Sequence, residues 1–210
     1  LGRLALIAAL AGCASAQAPR HETAVALVAG APFPSATGVT TLRCGTLIDG
    51  VAERPGASVT VIIKQGRIAA VGPAVSVPRG LPILDLPGHT CLPGLIDMHT
   101  HLVDRPGDTA DLSVYYRRTL EEQLVLARQH ARATLLAGFT STRDVGTYIA
   151  WADRALRDEI NAGRIVGPRV QVAGFYLTIP GGGGDLVIPD HPESSIPAQV
   201  RMGVARGPDE

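Results

Sequence analysis

The stretch Leu92-Pro93-Gly94-Leu95-Ile96-Asp97-Met98-His99-Thr100-His101-Leu102 decides how this chain is read. Pro-Gly punctuation is followed by an apolar run of the kind found in buried strands, and two histidines stand where that strand would end. In an extended segment, residues i and i+2 project from the same side of the pleat. Two neutral imidazoles on one rigid face suit a divalent transition metal, at about 2.0–2.1 Å per Zn–N bond. A lone His-x-His is weak evidence, and a structural pair held by backbone hydrogen bonds is the competing reading.

Working outward, the composition is neutral and aliphatic. Nineteen basic and nineteen acidic residues cancel, leaving no basic excess for nucleic acid and no acidic tail. Hydrophobic residues make up 46% of the 210 residues and aromatic ones only 4%, which suits a parallel α/β protein whose strands are buried on both faces. From Val39 to Pro93 the pattern is β, with runs at Thr41–Ile48, Val59–Ile63, Ile68–Val71, Ile83–Leu86 and Thr90–Leu92. Lys64-Gln65-Gly66-Arg67 reads as a hairpin turn, and His89 falls in a turn after Gly88.

After His101 helix and strand alternate. Tyr116, Leu120, Leu124, Ala127, Ala131 and Leu135 recur at helical spacing, with Gly138 placed as a C-terminal cap. Phe139–Val145 reads as a strand, and Ile149, Ala152, Leu156 and Ile160 form a second helical stripe closed by Gly163. Val170–Leu177 is the next strand. This order implies parallel βαβ units, with His99, Asp144 and the Leu177–Thr178 region near the carboxyl ends of strands.

Pro93-Gly94-Leu95-Ile96-Asp97-Met98-His99-Thr100-His101 resembles the first barrel strand of the amidohydrolase superfamily, in the group that holds imidazolonepropionase and Xaa-Pro dipeptidases. Three further stretches fit in the same order: Ile63-Lys64-Gln65-Gly66-Arg67-Ile68-Ala69-Ala70-Val71-Gly72, Ala137-Gly138-Phe139-Thr140-Ser141-Thr142-Arg143-Asp144-Val145-Gly146, and Gly167-Pro168-Arg169-Val170. The resemblance implies a (β/α)8 TIM-like metal-dependent hydrolase barrel preceded by a small β-sandwich. It divides the chain into a β-sandwich segment at 39–93 and the first three βα units of an incomplete barrel at 94–210. A closed barrel needs roughly 250 residues. The family's bridging lysine, later histidines and catalytic aspartate are therefore expected on strands that this sequence does not contain, and no catalytic residue is assigned within it.

The resemblance implies a hydrolase of C–N bonds, in amides, peptides or cyclic amides, working through metal-activated water. A dipeptide or other small-molecule substrate is expected, together with a divalent cofactor, zinc by its donor chemistry, as one or two ions in the complete protein. His99 and His101 are the expected metal ligands. The alternative is an exported, catalytically inert fragment or interaction module that lacks the remaining ligands. A homo-oligomer is left open.

Other candidates are weaker. Asp97 could orient a histidine or make an internal hydrogen bond, Asp104 reads as a solvated loop acid, and Arg143-Asp144 reads as a buried ion pair or a substrate contact. Gly181-Gly182-Gly183-Gly184-Asp185 reads as a substrate-side wall through Gly182, Gly183 and Asp185. Where the family carries a histidine within Thr-Gly-Gly-His-Gly, this chain has glycine. His21, His89, His130 and His191 form no ligand spacing and are left without a role.

Residues 1–16 read as a secretory or lipoprotein signal: an apolar run, then Leu10-Ala11-Gly12-Cys13 with Cys13 as a lipidation site, or a competing cleavage after Ala14-Ser15-Ala16. Residues 17–38 read as a linker. Export to the periplasm, secretion or lipid anchoring at a bacterial envelope is the expectation. A Cys44–Cys91 disulfide is open in an oxidising compartment.

Overall fold

The computed structural model describes residues 38–209, so the expected signal, Cys13, His21 and all of the linker but Gly38 lie outside the described residues. Strands β1 (Val39–Leu47), β2 (Gly56–Lys64), β3 (Arg67–Gly72) and β4 (Ile83–Cys91) form one sheet in the order β3-β2-β1-β4. The β1–β2 and β2–β3 pairs are antiparallel, and β4 lies parallel to β1. The expected hairpin is present, with Lys64 opposite Arg67. Its two loop residues, Gln65 (φ 52°) and Gly66 (φ 70°), both take left-handed conformations, as in the type I′ turn that matches strand twist.

The runs Ile83–Leu86 and Thr90–Leu92 belong to a single strand rather than two. Cys44 faces Leu86 and Thr46 faces Thr90, so β4 bulges through Pro87, Gly88 and His89. His89 therefore sits in a strand, not a turn. The bulge is tolerated because β1 carries Gly45 opposite it. A Cβ there would fall 1.9 Å from the Pro87 carbonyl oxygen. A disulfide between buried Cys44 and Cys91, with Cα atoms 5.9 Å apart, closes the same irregularity.

The second sheet is parallel, in the order β5 (Leu95–Thr100), β6 (Phe139–Asp144), β7 (Arg169–Gln171). The helices between are α1 (Val114–Arg117), α2 (Leu120–Leu136) and α3 (Ala152–Asn161). Tyr116 and Leu120 share a helical stripe in the sequence, yet the chain is extended at Arg118 and starts a new helix after Thr119. A capping box sets that start. The Thr119 hydroxyl accepts from the Glu122 amide at 3.2 Å, and the Glu122 carboxylate accepts from the Thr119 amide at 2.8 Å. Gly138, at φ 96°, ends α2 as the left-handed cap read from the sequence.

Strand β7 is much shorter than the expected Val170–Leu177. The Ala173 and Gly174 amides donate to the Asp153 carboxylate at 3.1 and 2.8 Å instead of to a neighbouring strand, and Gly174 turns to φ 93°. The chain leaves the sheet there, and Leu177 is 81% exposed. Core packing joins Leu124, Ala127 and Ala131 of α2 to Ala152 and Leu156 of α3, Val170 of β7, and Leu102, Val103 and Tyr115. Ile149 lies outside α3 but still packs into this core. Ile96 and Met98 of β5 remain 63% and 50% exposed beside Ser141, Arg169 and Gln171.

The disulfide joins cysteines 47 residues apart. In the chain-entropy account a crosslink of that span contributes about 4 kcal/mol by restricting the unfolded chain. Replacing both cysteines by alanine is expected to lower the denaturation midpoint of the sheet that contains β1 and β4. Chemical denaturation of the double variant, under oxidising conditions, checks this.

Candidate functional site

β5 delivers His99, and His101 follows directly after the strand ends. Their ring centroids are 5.5 Å apart at 70°, and both residues are exposed. The ladder is irregular at this point. The step from Asp97 to Thr100 on β5 is matched by the shorter step from Thr142 to Asp144 on β6. Asp97 Oδ1 accepts from the His99 amide at 3.0 Å, so its hydrogen bond fixes backbone and not an imidazole.

His101 is held through its ring. Nδ1 lies 2.9 Å from the carbonyl oxygen of Gly146, in the loop after β6. A carbonyl can only accept, so Nδ1 carries a proton, and in the neutral ring Nε2 is then the nitrogen with the lone pair. The Tyr176 hydroxyl oxygen lies 3.0 Å from the same Nδ1.

Asp144 organises both sides of this contact. Its Oδ2 accepts from the Leu102 amide at 2.7 Å and its Oδ1 from the Gly146 amide at 3.3 Å. The expected ion pair with Arg143 is not formed. Neighbouring strand residues project in opposite directions, and Arg143 Nε donates to the Met98 carbonyl at 2.8 Å instead. Burial raises the Asp144 carboxyl to about 6, against the two amide hydrogen bonds that favour its charge.

Asp104 is not the solvated loop acid that the sequence suggests. Its Oδ1 accepts from Gln123 Nε2 at 3.2 Å and from the Thr147 hydroxyl at 3.3 Å, while Oδ2 is buried without a hydrogen-bond partner. Desolvation, helped by the nearby charge of Asp144, raises it to about 7. Together with His101, Tyr115, Tyr148 and Tyr176 it lines a pocket of about 410 Å³. Sequence reasoning missed these tyrosines. Tyr115 lies in α1, Tyr148 in the loop after β6 and Tyr176 in the chain after β7; they share no period, and only the fold collects them. His130, left without a role above, bonds the Leu102 carbonyl through Nδ1 at 2.9 Å and ties α2 to the loop after His101.

The glycine-rich loop is stitched to the end of the chain. Asp185 Oδ2 accepts from the Gly181 amide at 2.9 Å, and its buried carboxylate pairs with Arg201 at 3.1 Å. Gly182 donates its amide to Ile179 at 2.9 Å. Gly182, Gly183 and Asp185 are not among the residues lining the pocket beside His101. Among the described residues no group of three or more His, Cys, Asp or Glu side chains is placed to hold a metal ion. The pair His99 and His101 offers two nitrogen donors of the type zinc takes, half of a tetrahedral set.

The profile of the Amidohydrolase family matches residues 90–208, more than half of the chain, and the chain belongs to that family. It is 38% identical over 101 residues to a dihydroorotase of Syntrophus aciditrophicus, covering 48% of this chain and 20% of that protein. To an imidazolonepropionase of Cereibacter sphaeroides it is 44% identical over 63 residues, covering 30% of this chain and 15% of the other. Among solved structures it is similar to a Xaa-Pro dipeptidase with methionine bound in the active site, at a TM-score of 0.68 and 32% identity. That match covers 82% of this chain and 42% of the dipeptidase. The chain thus spans a fifth or less of these two enzymes matched by sequence and about two fifths of the structural relative. The resemblance read from the His-x-His motif is confirmed at the level of the family, and with it a mixed α/β architecture with a parallel sheet.

Two predictions follow from the carboxylates. Asp144→Ala would leave the Leu102 and Gly146 amides without their acceptor, at a cost of about 2–4 kcal/mol, readable in a denaturant titration. Asp104 titrates higher in the folded protein than in the unfolded chain. The stability it contributes is therefore full below its ordinary value of 3.8 and is lost as pH rises through about 7. Asp104→Asn stays neutral, so in chelator-treated protein its thermal midpoint should exceed that of the wild type at about pH 8. The gap should narrow at about pH 5 and close below about pH 4.

Proposed function

We propose that this chain carries the opening part of a metal-dependent hydrolase that cleaves C–N bonds of amides, peptides or cyclic amides. One observation supports the metal part of this reading: the Gly146 carbonyl engages Nδ1 of His101, whose ring lies 5.5 Å from that of His99, so in the neutral ring Nε2 is the nitrogen left for a metal. A divalent ion bound there, zinc by donor type and alone or as one of two, would polarise a carbonyl and lower the pKa of water. In this reading His99 and His101 supply the first two ligands and the remaining donors lie on chain outside these 210 residues. β5, β6 and β7 with their helices are then the first three βα units of a (β/α)8 barrel, spanning 94–210. Residues 39–93 belong to the flanking β-sandwich.

Dipeptides ending in proline are the preferred substrates, on the similarity to the Xaa-Pro dipeptidase. Cyclic amides are the second reading, favoured by the relatives named dihydroorotase and imidazolonepropionase. Export fits the same picture. The apolar leader with Cys13 suits a secreted or lipid-anchored protein, and a Cys44–Cys91 disulfide suits an oxidising compartment.

The full-length protein is expected to contain stoichiometric zinc and to lose hydrolysis on chelation. His99→Ala should reduce kcat/KM by well over a hundredfold, more than is usual for a residue that only orients a ligand. Metal-free protein with full activity, or an unimpaired His99→Ala variant, would overturn the metal reading. Turnover of Xaa-Pro dipeptides against cyclic amides decides between the two substrate classes.

A further inference from the structure

We propose that Tyr176 is a positioning residue: its phenol oxygen, together with the Gly146 carbonyl, holds the Nδ1 proton of His101 and makes Nε2 the lone-pair nitrogen of the neutral ring. The inference rests on the reading of His101 as a metal ligand only for its consequence. The geometry stands without it.

The contact is specific in position. The Tyr176 hydroxyl oxygen is 3.0 Å and the Gly146 carbonyl oxygen 2.9 Å from the same ring nitrogen. Because the carbonyl is a pure acceptor, Nδ1 must donate, and the phenol oxygen takes the other half of a three-centre bond. Which imidazole nitrogen carries the proton is set by the hydrogen bonds offered to it. Two acceptors converging on Nδ1 select one tautomer and one ring orientation.

The fold goes to some length to put that hydroxyl there. Backbone from three separate segments closes on Tyr176, and each does so through a glycine. A Cβ on Gly146 would lie 2.5 Å from the Tyr176 ring, one on Gly184 would lie 2.5 Å from its Cβ, and one on Gly203 would lie 1.9 Å from its carbonyl oxygen. These glycines belong to the loop after β6, the glycine-rich loop, and the final segment of the chain. Gly146 thus both accepts the His101 proton and provides the space in which the phenol reaches it. The ring also meets Tyr148 at a centroid distance of 5.0 Å, and Tyr148 meets Tyr115 at 4.9 Å, so the phenol has aromatic neighbours.

This gives the glycine-rich loop a role in placing Tyr176. Gly184 and the Asp185–Arg201 pair dock the loop and the final segment around Tyr176, and Tyr176 carries their position to His101.

The test is Tyr176→Phe, which removes the oxygen and keeps the ring, with Tyr176→Leu as the packing control. In full-length, metal-free protein with ¹⁵N-labelled histidine, wild-type His101 should show a protonated Nδ1 and an unprotonated Nε2. Tyr176→Phe should shift the Nδ1 signal and admit the other tautomer while leaving the thermal midpoint unchanged. Zinc affinity, measured by competition with a chelator, should fall about tenfold. A residue that only packs predicts the reverse order: Phe indistinguishable from wild type in both readouts, and Leu impaired. That result overturns the proposal. A wild-type protein that takes up no zinc overturns the metal reading instead, and the ring-nitrogen signals still decide for or against Tyr176.

Discussion

The Asp144 carboxylate accepts the amides of Leu102 and Gly146, and much of the site depends on that pair of bonds. Leu102 follows His101 directly, and Gly146 offers the carbonyl that His101 itself uses. One buried side chain at the end of β6 therefore sets both the path of the chain leaving β5 and the acceptor that orients the imidazole. Burying a carboxylate is costly, as its raised pKa records. The cost is accepted where two backbone donors would otherwise be buried without partners.

Around this contact the structure is layered by distance. His130 from α2 and Gln123 Nε2 reach the carbonyls of Leu102 and Val103, so the helix behind β5 holds the same loop from the other side. The start of that helix is set locally by the Thr119–Glu122 capping box and does not depend on the site. Farther out, Asp153 takes two amides from the chain after β7 and directs it away from the sheet toward Tyr176. Buried carboxylates recur at turning points in this molecule: Asp144, Asp153 and Asp185 each bind backbone amides where the chain changes direction.

The parts of this arrangement that were legible in the sequence are those carried by neighbours along the chain. The Gln65-Gly66 turn, the Gly138 cap and the placing of His99 and His101 together at a strand end each depend on a few consecutive residues, so their geometry could be read directly. Other readings failed where tertiary contacts outweighed pattern. The stripe from Tyr116 to Leu120 is periodic, but the capping box breaks it. The Val170–Leu177 run is strand-like, but Asp153 takes the amides of Ala173 and Gly174. Asp104 sits in a polar stretch, yet Gln123 and Thr147 fold over it.

By itself the sequence determined the family, the alternation of strand and helix and the placing of a histidine pair at a strand end. Those features are written in local spacing and residue type. Only the tertiary structure decided which nitrogen of His101 carries its proton and why three distant tyrosines share a pocket with it. It also decided why glycines at 146, 184 and 203 are required. Each of these depends on backbone segments far apart in sequence approaching within van der Waals distance, and no pattern along one segment encodes where another segment will lie.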